Sequence, residues 1–200
     1  MDQPAWEAAG VLFVVRHGQT LTNREGRLLG RADPPLDDVG EAQASRLAEH
    51  LPVPDLVVSS PLQRARDTAA AFGCEVTVDE RWIELDYGEF DGRLPTSLPA
   101  EVWADWRADS GYTPPGGESL HELAQRVSAA CDEIWERAVD STVVVVSHVS
   151  PIKAALAWAL EVPVDVSWRM FVEQASVSRI DARNGGKVVR WFNRGFAPDV

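Results

Sequence analysis

Val11-Leu12-Phe13-Val14-Val15-Arg16-His17-Gly18 decides the fold. Five apolar residues in a row read as a short strand buried on both faces, and the sudden change to Arg16-His17-Gly18 marks the loop that ends it. The pattern recurs twice. Leu56 to Val58 is apolar and runs into Ser59-Ser60-Pro61, while Thr142 to Val146, five β-branched residues in succession, runs into Ser147-His148-Val149-Ser150-Pro151. Each strand therefore ends where reactive or helix-starting residues begin.

Helical periods fill the spaces between these strands. Apolar residues at 39, 42, 44, 47, 48 and 51 predict a helix over Asp38 to Leu51. Ser60-Pro61 reads as a capping residue followed by a proline at the first helical position, predicting a helix over about 61–72 with Arg64 in its first turn. Ser150-Pro151 repeats that signal and predicts a helix from 151 to about 161. Ser119-Leu120-His121-Glu122 has capping-box spacing and opens a long helix with one apolar face. Glu75 to Val78 reads as a short strand, and Ala175 to Ala182 with Lys187 to Phe192 as a hairpin around Asn184-Gly185-Gly186. Strands alternating with amphipathic helices predict a three-layer α/β/α sandwich with a mainly parallel central sheet. Its ligand belongs at the carboxyl ends of the strands.

Between residues 89 and 118 the regularity fails. Pro95, Pro99, Pro114 and Pro115 alternate there with Gly92, Gly111, Gly116 and Gly117 around a short helical stretch holding Trp103, Trp106 and Arg107. The segment reads as a lid or insertion within one domain of residues 1–200. Its tryptophans face the core or form an aromatic wall, which would favour an apolar leaving group such as an aryl or nucleoside-like one.

Bulk composition removes several classes. With 45% hydrophobic and 25% charged residues the chain is an ordinary globular one. A net charge of -12 argues against nucleic-acid binding. No apolar run approaches the length of a membrane span, and Met1-Asp2-Gln3-Pro4 has no signal-peptide pattern, so a cytoplasmic location is expected. Cys74 and Cys131 read as small core residues in helices, and no metal-ligand spacing occurs. His50 and His121 read as exposed helix residues.

Several blocks in order then carry a resemblance. Val14-Val15-Arg16-His17-Gly18-Gln19-Thr20 with Asn23 comes first, followed by Asp33-Pro34-Pro35-Leu36 with Gly40 and Gln43-Ala44. Ser59-Ser60-Pro61-Leu62-Gln63-Arg64-Ala65-Arg66-Asp67-Thr68-Ala69 is the third block, and Glu84-Leu85-Asp86-Tyr87-Gly88-Glu89-Phe90-Asp91-Gly92 the fourth. Gly116-Gly117-Glu118-Ser119 and Val146-Ser147-His148 close the series. Together they resemble the histidine phosphatase superfamily, with the phosphoglycerate mutase-like fold, from about residue 12 to 160. The acid-bearing block is similar to that of the short phosphatase branch, which includes α-ribazole phosphatase-like and broad-specificity enzymes.

The resemblance implies a metal- and cofactor-independent phosphatase acting on a small phosphomonoester. His17 is the implied nucleophile, Arg16 and Arg64 the phosphoryl clamps, and a protonated His148 the third donor. Glu84 is the implied acid, although Asp86 and Glu89 lie close in sequence. Gln19, Asn23 and the Val149 N–H are the implied further phosphate contacts. Two departures stand out: Val149 replaces the usual glycine after His148, and Leu29 replaces the usual glutamine before Gly30. Between 89 and 118 the only cations are Arg93 and Arg107, too few to retain a bisphosphate, so hydrolysis is expected over phosphoglycerate mutase-type transfer. A non-catalytic phospho-ligand binder would need a damaged core, yet Arg16, His17, Arg64, Glu84 and His148 are all present. The hairpin offers an edge for a homodimer.

Overall fold

The computed structural model describes residues 10–183 and 186–196. Six strands form one sheet: β1 (Gly10–Arg16), β2 (Leu56–Ser59), β3 (Val76–Val78), β4 (Thr142–Ser147), β5 (Val177–Arg183) and β6 (Gly186–Arg194). Their spatial order is β3-β2-β4-β1-β5-β6, with the first four strands parallel and β5 and β6 antiparallel to their neighbours. The helices are α1 (Leu21–Arg24), α2 (Asp38–His50), α3 (Gln63–Ala70), α4 (Ala100–Ala108), α5 (Leu120–Ala138) and α6 (Val149–Leu160). The expected α/β/α sandwich with a mainly parallel sheet is what forms.

The reason lies in the strand sequences. Val143 and Val145 face the layer built by α5 and α6, while Val144 and Val146 face the layer of α2 and α3. All four are completely buried, because successive strand side chains point to opposite faces and both faces are covered. Each such valine contributes about 1.5–3 kcal/mol of burial. Polar substitution at any of them would expose one layer of the sandwich to an unpaired group.

Register then places the chemistry. Arg16 pairs with Ser147 at the last rung of the β1–β4 ladder, so His17 and His148 leave adjacent strands side by side. Ser59 pairs with Val146 on the other flank of β4, which brings Ser60 to the same rim. The loop after β1 lies tight against the start of α2. A side chain on Gly18 would strike the Gly40 carbonyl oxygen, and one on Gly40 would strike the Gln19 carbonyl oxygen. Only hydrogen at both positions allows that contact.

Two expected boundaries shift. Helix α3 begins at Gln63 with Leu62 at its cap position, so Pro61 precedes the helix and Ser60 does not cap it. Helix α6 begins at Val149, two residues earlier than expected, with His148 at its cap position. Ser60 Oγ accepts from the Leu62 N–H at 3.3 Å, ahead of the helix, and meets a further partner described below, which is why the cap signal misleads. Cys131 is buried in α5, but Cys74 is exposed in the turn after α3 rather than packed in a helix. The capping box at Ser119 and Glu122 forms as expected, and His50 and His121 are exposed. The hairpin strands pair as expected, while Asn184 and Gly185 of its turn lie outside the described residues. Among the described residues no helix is long and apolar enough to cross a membrane.

Candidate active site

His17 is almost wholly buried, and its hydrogen bonds fix its tautomer. Nδ1 lies 2.7 Å from the Gly18 carbonyl oxygen, which can only accept, so Nδ1 carries the proton. Nε2 therefore keeps its lone pair and accepts from Arg64 Nε at 3.3 Å. Burial, then the charges of Arg64 and Arg16, hold the imidazole well below its ordinary value of 6.5. The ring is a neutral base with its free electron pair turned toward Arg64.

Arg64 is fully buried on α3 and pinned by main-chain oxygens. Nη1 donates to the Ala32 carbonyl and Nη2 to the Gly30 carbonyl, each at 2.7 Å. Those three bonds leave two of the five guanidinium N–H groups for a ligand. Burial lowers the Arg64 value to about 10 against the opposing pull of Glu84, Asp33 and Asp91, so the group stays a cation. Arg16 donates from Nη1 to the Val172 carbonyl at 2.7 Å, while its buried Nε has no partner among the described residues. Two clamped guanidinium groups with free N–H bonds match the planar forks that bind phosphoryl oxygens.

His148 lies beside His17, the ring centroids 5.0 Å apart. Its Nε2 is 2.7 Å from Ser60 Oγ, and its buried Nδ1 has no partner among the described residues. Burial, Arg64, His17 and Arg16 push its value well below 6.5. That direction disfavours a proton on the ring beside the two guanidinium charges.

Glu84 is the buried carboxyl of its block. One oxygen accepts from the Leu85 N–H at 2.7 Å and from the Ser150 N–H of α6 at 3.2 Å. Those bonds and Arg64 favour the anion, but desolvation is larger and raises the group above the ordinary carboxylate value. Its rivals are spoken for: Glu89 is exposed, and Asp86 accepts from the Gly88 N–H and pairs with Arg31. Arg126 shapes the segment by donating to the carbonyls of Arg81, Ile83 and Glu84. Burial sets Glu84 apart from the two carboxyl groups near it in sequence.

The further contacts fare unequally. Val149 opens α6, so its N–H is one that a helix leaves without an internal partner. Asn23 spends its side-chain oxygen on the Thr20 N–H and hydroxyl, closing the capping box of α1 in which Thr20 is the cap. Gln19 is half-buried, its backbone tied to Gln43 and Asp37.

A model of the histidine phosphatase superfamily (branch 1) matches residues 12–195. The chain belongs to that superfamily. It is 37% identical over 206 positions to a bifunctional protein of Mycobacterium tuberculosis, covering 96% of this chain and 57% of the other. It thus spans little more than half the length of that relative. It is 35% identical over 201 positions to a protein of Salmonella choleraesuis named a probable phosphoglycerate mutase, covering 94% and 91% of the two chains. Among solved structures it is similar to a mycobacterial glucosyl-3-phosphoglycerate phosphatase in complex with vanadate. That likeness has a TM-score of 0.80 at 31% identity, over 93% of this chain and 100% of the other.

In this member of the superfamily, several residues that build the site stand inside the quoted sequence blocks without a role singled out for them there. Ser60 meets His148, and Thr68 accepts from the Gly18 N–H at 3.0 Å while donating to the Arg64 carbonyl. Asp91 accepts from the Gly30 N–H at 2.7 Å and the Ala32 N–H at 2.9 Å, clamping the loop whose carbonyls hold Arg64. Asp91 lies within the fourth block, so position alone could have marked it. Its partner 59 and 61 residues away could not be read there.

Proposed function

We propose that the chain is a phosphatase that hydrolyses a small phosphomonoester through a phosphohistidine on His17. The carrying observation is the neutral His17 ring whose Nε2 lone pair meets Arg64, with Arg16 and His148 beside it. In the first step that lone pair forms an N–P bond as the ester P–O bond breaks, and Glu84 gives its proton to the departing alkoxide. In the second step the Glu84 carboxylate takes a proton from water. The water oxygen bonds to phosphorus, the N–P bond breaks, and inorganic phosphate leaves. Arg16, Arg64, the Val149 N–H and His148 stabilise the phosphoryl oxygens throughout. A dianion arriving between the two arginines also restores the conditions for His148 to hold a proton.

Hydrolysis is favoured over transfer because Arg93 and Arg107 are both exposed, Arg107 stacking over Trp103 and Trp168 at 5.8 Å. Neither is placed to retain a second phosphoryl group. On this reading residues 89–118 form the cover of the leaving-group side within one domain, the reaction is cytoplasmic, and the open β6 edge is where a homodimer would form.

Phosphate release from several esters in the presence of a chelator tests the proposal, with rapid acid and alkaline quench to trap the intermediate. We expect alkali-stable, acid-labile phosphate on the protein. His17→Ala should lose both that label and at least about 1,000-fold in kcat. Full activity in His17→Ala would overturn the scheme.

A further inference from the structure

Strand β6 does not pair evenly with β5. Val177 pairs with Arg194 and Arg179 with Trp191, so β6 spends one more residue than β5 between those rungs. The extra residue makes a β-bulge, a local kink that breaks the ladder and re-aims a side chain. Asn193 sits in it with φ at 54°, in the left-handed region. Asparagine is one of the few residues besides glycine that visits that region readily. Its N–H, lost to the ladder, donates instead to the buried Ser178 Oγ at 3.3 Å.

The bulge brings the Asn193 side chain to a turn that lies just before β5. Asn193 Oδ1 accepts from the Glu173 N–H at 2.6 Å. Only the amide oxygen can serve there, because the partner is a donor. Ser176 closes the turn, its hydroxyl and its N–H both donating to the Glu173 carbonyl, at 2.7 and 3.3 Å. Within the turn Ala175 has φ at 51°. Alanine keeps that conformation only where its surroundings over-determine it.

Both ends of this turn hold groups of the phosphate side. The Val172 carbonyl, one residue before Glu173, accepts from Arg16 Nη1 at 2.7 Å. The Ala175 N–H donates to the His17 carbonyl at 3.1 Å, and the Ser176 carbonyl accepts from the Arg16 N–H at 2.9 Å. The two arginines differ in how they are secured. Arg64 has the carbonyls of Gly30 and Ala32, whereas among the described residues Val172 is the single hydrogen-bond partner of the Arg16 guanidinium. The aim of Arg16 therefore depends on where this turn is held.

We infer that Asn193 is a positioning residue for the phosphate clamp. From the β6 bulge its amide oxygen fixes the turn at Glu173, and through Val172 and Ala175 that turn aims Arg16 and seats His17. Asn193 acts through these residues and not by touching the ligand. The inference rests on the assignment of Arg16 to the phosphoryl oxygens in the phosphatase reading. Asn193 also lies beyond the sequence blocks that carry the catalytic groups, so the edge strand of the sheet takes part in oxyanion binding.

Vanadate affinity by calorimetry, with kcat/KM for 4-nitrophenyl phosphate beside it, tests this. Asn193→Gly keeps the left-handed backbone but removes the amide, and should lower both quantities by about 10-fold. Asn193→Asp keeps an oxygen acceptor and should stay within about 3-fold of the unaltered protein. In an Arg16→Lys background, Asn193→Gly should cost less than about 2-fold in vanadate affinity, because the group it aims is gone. A purely structural role would cost the same in both backgrounds. Equal losses there, or unchanged vanadate affinity in Asn193→Gly, overturn the inference. A measurement on the unaltered protein decides the matter even where variants fail to fold. Coupling is reciprocal, so saturating vanadate should slow hydrogen exchange of the Glu173 amide by at least about 3-fold. Exchange that vanadate leaves unchanged overturns the inference. Vanadate binding without turnover of any ester would bring down the phosphatase reading alone, and no vanadate binding at all would bring down both.

Discussion

The two sides of the site are built differently. On the phosphate side, His17, His148 and Ser60 follow directly from parallel strands whose register fixes their spacing, and Arg64 is locked by main-chain oxygens. On the leaving-group side, Glu84 and the aromatic cavity come from 3-10 turns, loops and the short helix α4, held by side chains such as Arg126. Ladder hydrogen bonds give the first side a geometry that does not depend on the substrate. The second side rests on packing, which can be altered without disturbing the sheet. Changes on the phosphate side should therefore injure every ester equally, and changes on the leaving-group side should discriminate among esters.

Glu84→Gln offers the largest break in that comparison. For an alkyl phosphate we expect kcat to fall by about 100- to 10,000-fold, the range of general acid catalysis. For 4-nitrophenyl phosphate, whose leaving group needs little protonation, the first step should be far less affected. Steady-state assay of both esters measures the split, and equal losses would place Glu84 among the phosphate-binding groups. Its raised value also predicts that the limb of the kcat/KM profile assigned to a protonated acid lies above the ordinary carboxylate range.

Arg64→Lys should cost about 100- to 1,000-fold in kcat/KM for both of those esters alike. A single ammonium cannot keep the Gly30 and Ala32 carbonyls, the His17 contact and a ligand at once. Unequal losses would merge the two sides. Asp91→Ala should follow with a loss of about 10-fold, also uniform across esters, because it loosens the loop that aims Arg64 rather than removing a group from the ligand. Vanadate inhibition should weaken in parallel, which a loss of acid function alone would not cause.

The smallest effect concerns stability. His17 and His148 both have values held well below 6.5 by burial first and by the arginines next. As pH falls through about 6.5 the unfolded chain takes up protons that the folded chain refuses, so stability present above that value is lost below it. Denaturant unfolding from pH 8 to pH 5 should show the decline, and His148→Gln should flatten it. Invariant stability over that interval would contradict the burial of both rings.

Legibility in the sequence follows the same division. The strands ending at Arg16, Ser59 and Ser147 were readable because a doubly buried strand must be apolar throughout, and its end is then visible in the first polar residue. Both histidines and Arg64 could be placed at one rim from that fact and the block resemblance. Ser60 was misread as the cap of a helix from 61 because its hydroxyl does meet a backbone N–H, that of Leu62, but ahead of the helix, and it also meets His148. Glu84 could not be separated from Asp86 and Glu89 by spacing, since burial is a property of the folded segment. The pocket beside Glu84 was invisible for a related reason: its lining comes in part from α4, α6 and the Val164–Arg169 turn, which only tertiary packing joins.

Arg64 is steadied by two peptide oxygens, a type of group that every amino acid supplies. Ala32 provides one of them while its own side of the loop faces solvent. Exchange at position 32 can therefore reshape this exposed loop while keeping the carbonyl that holds the cation beneath it. That position is where a library seeking altered reactivity should begin, since variation there is insulated from the chemistry it surrounds.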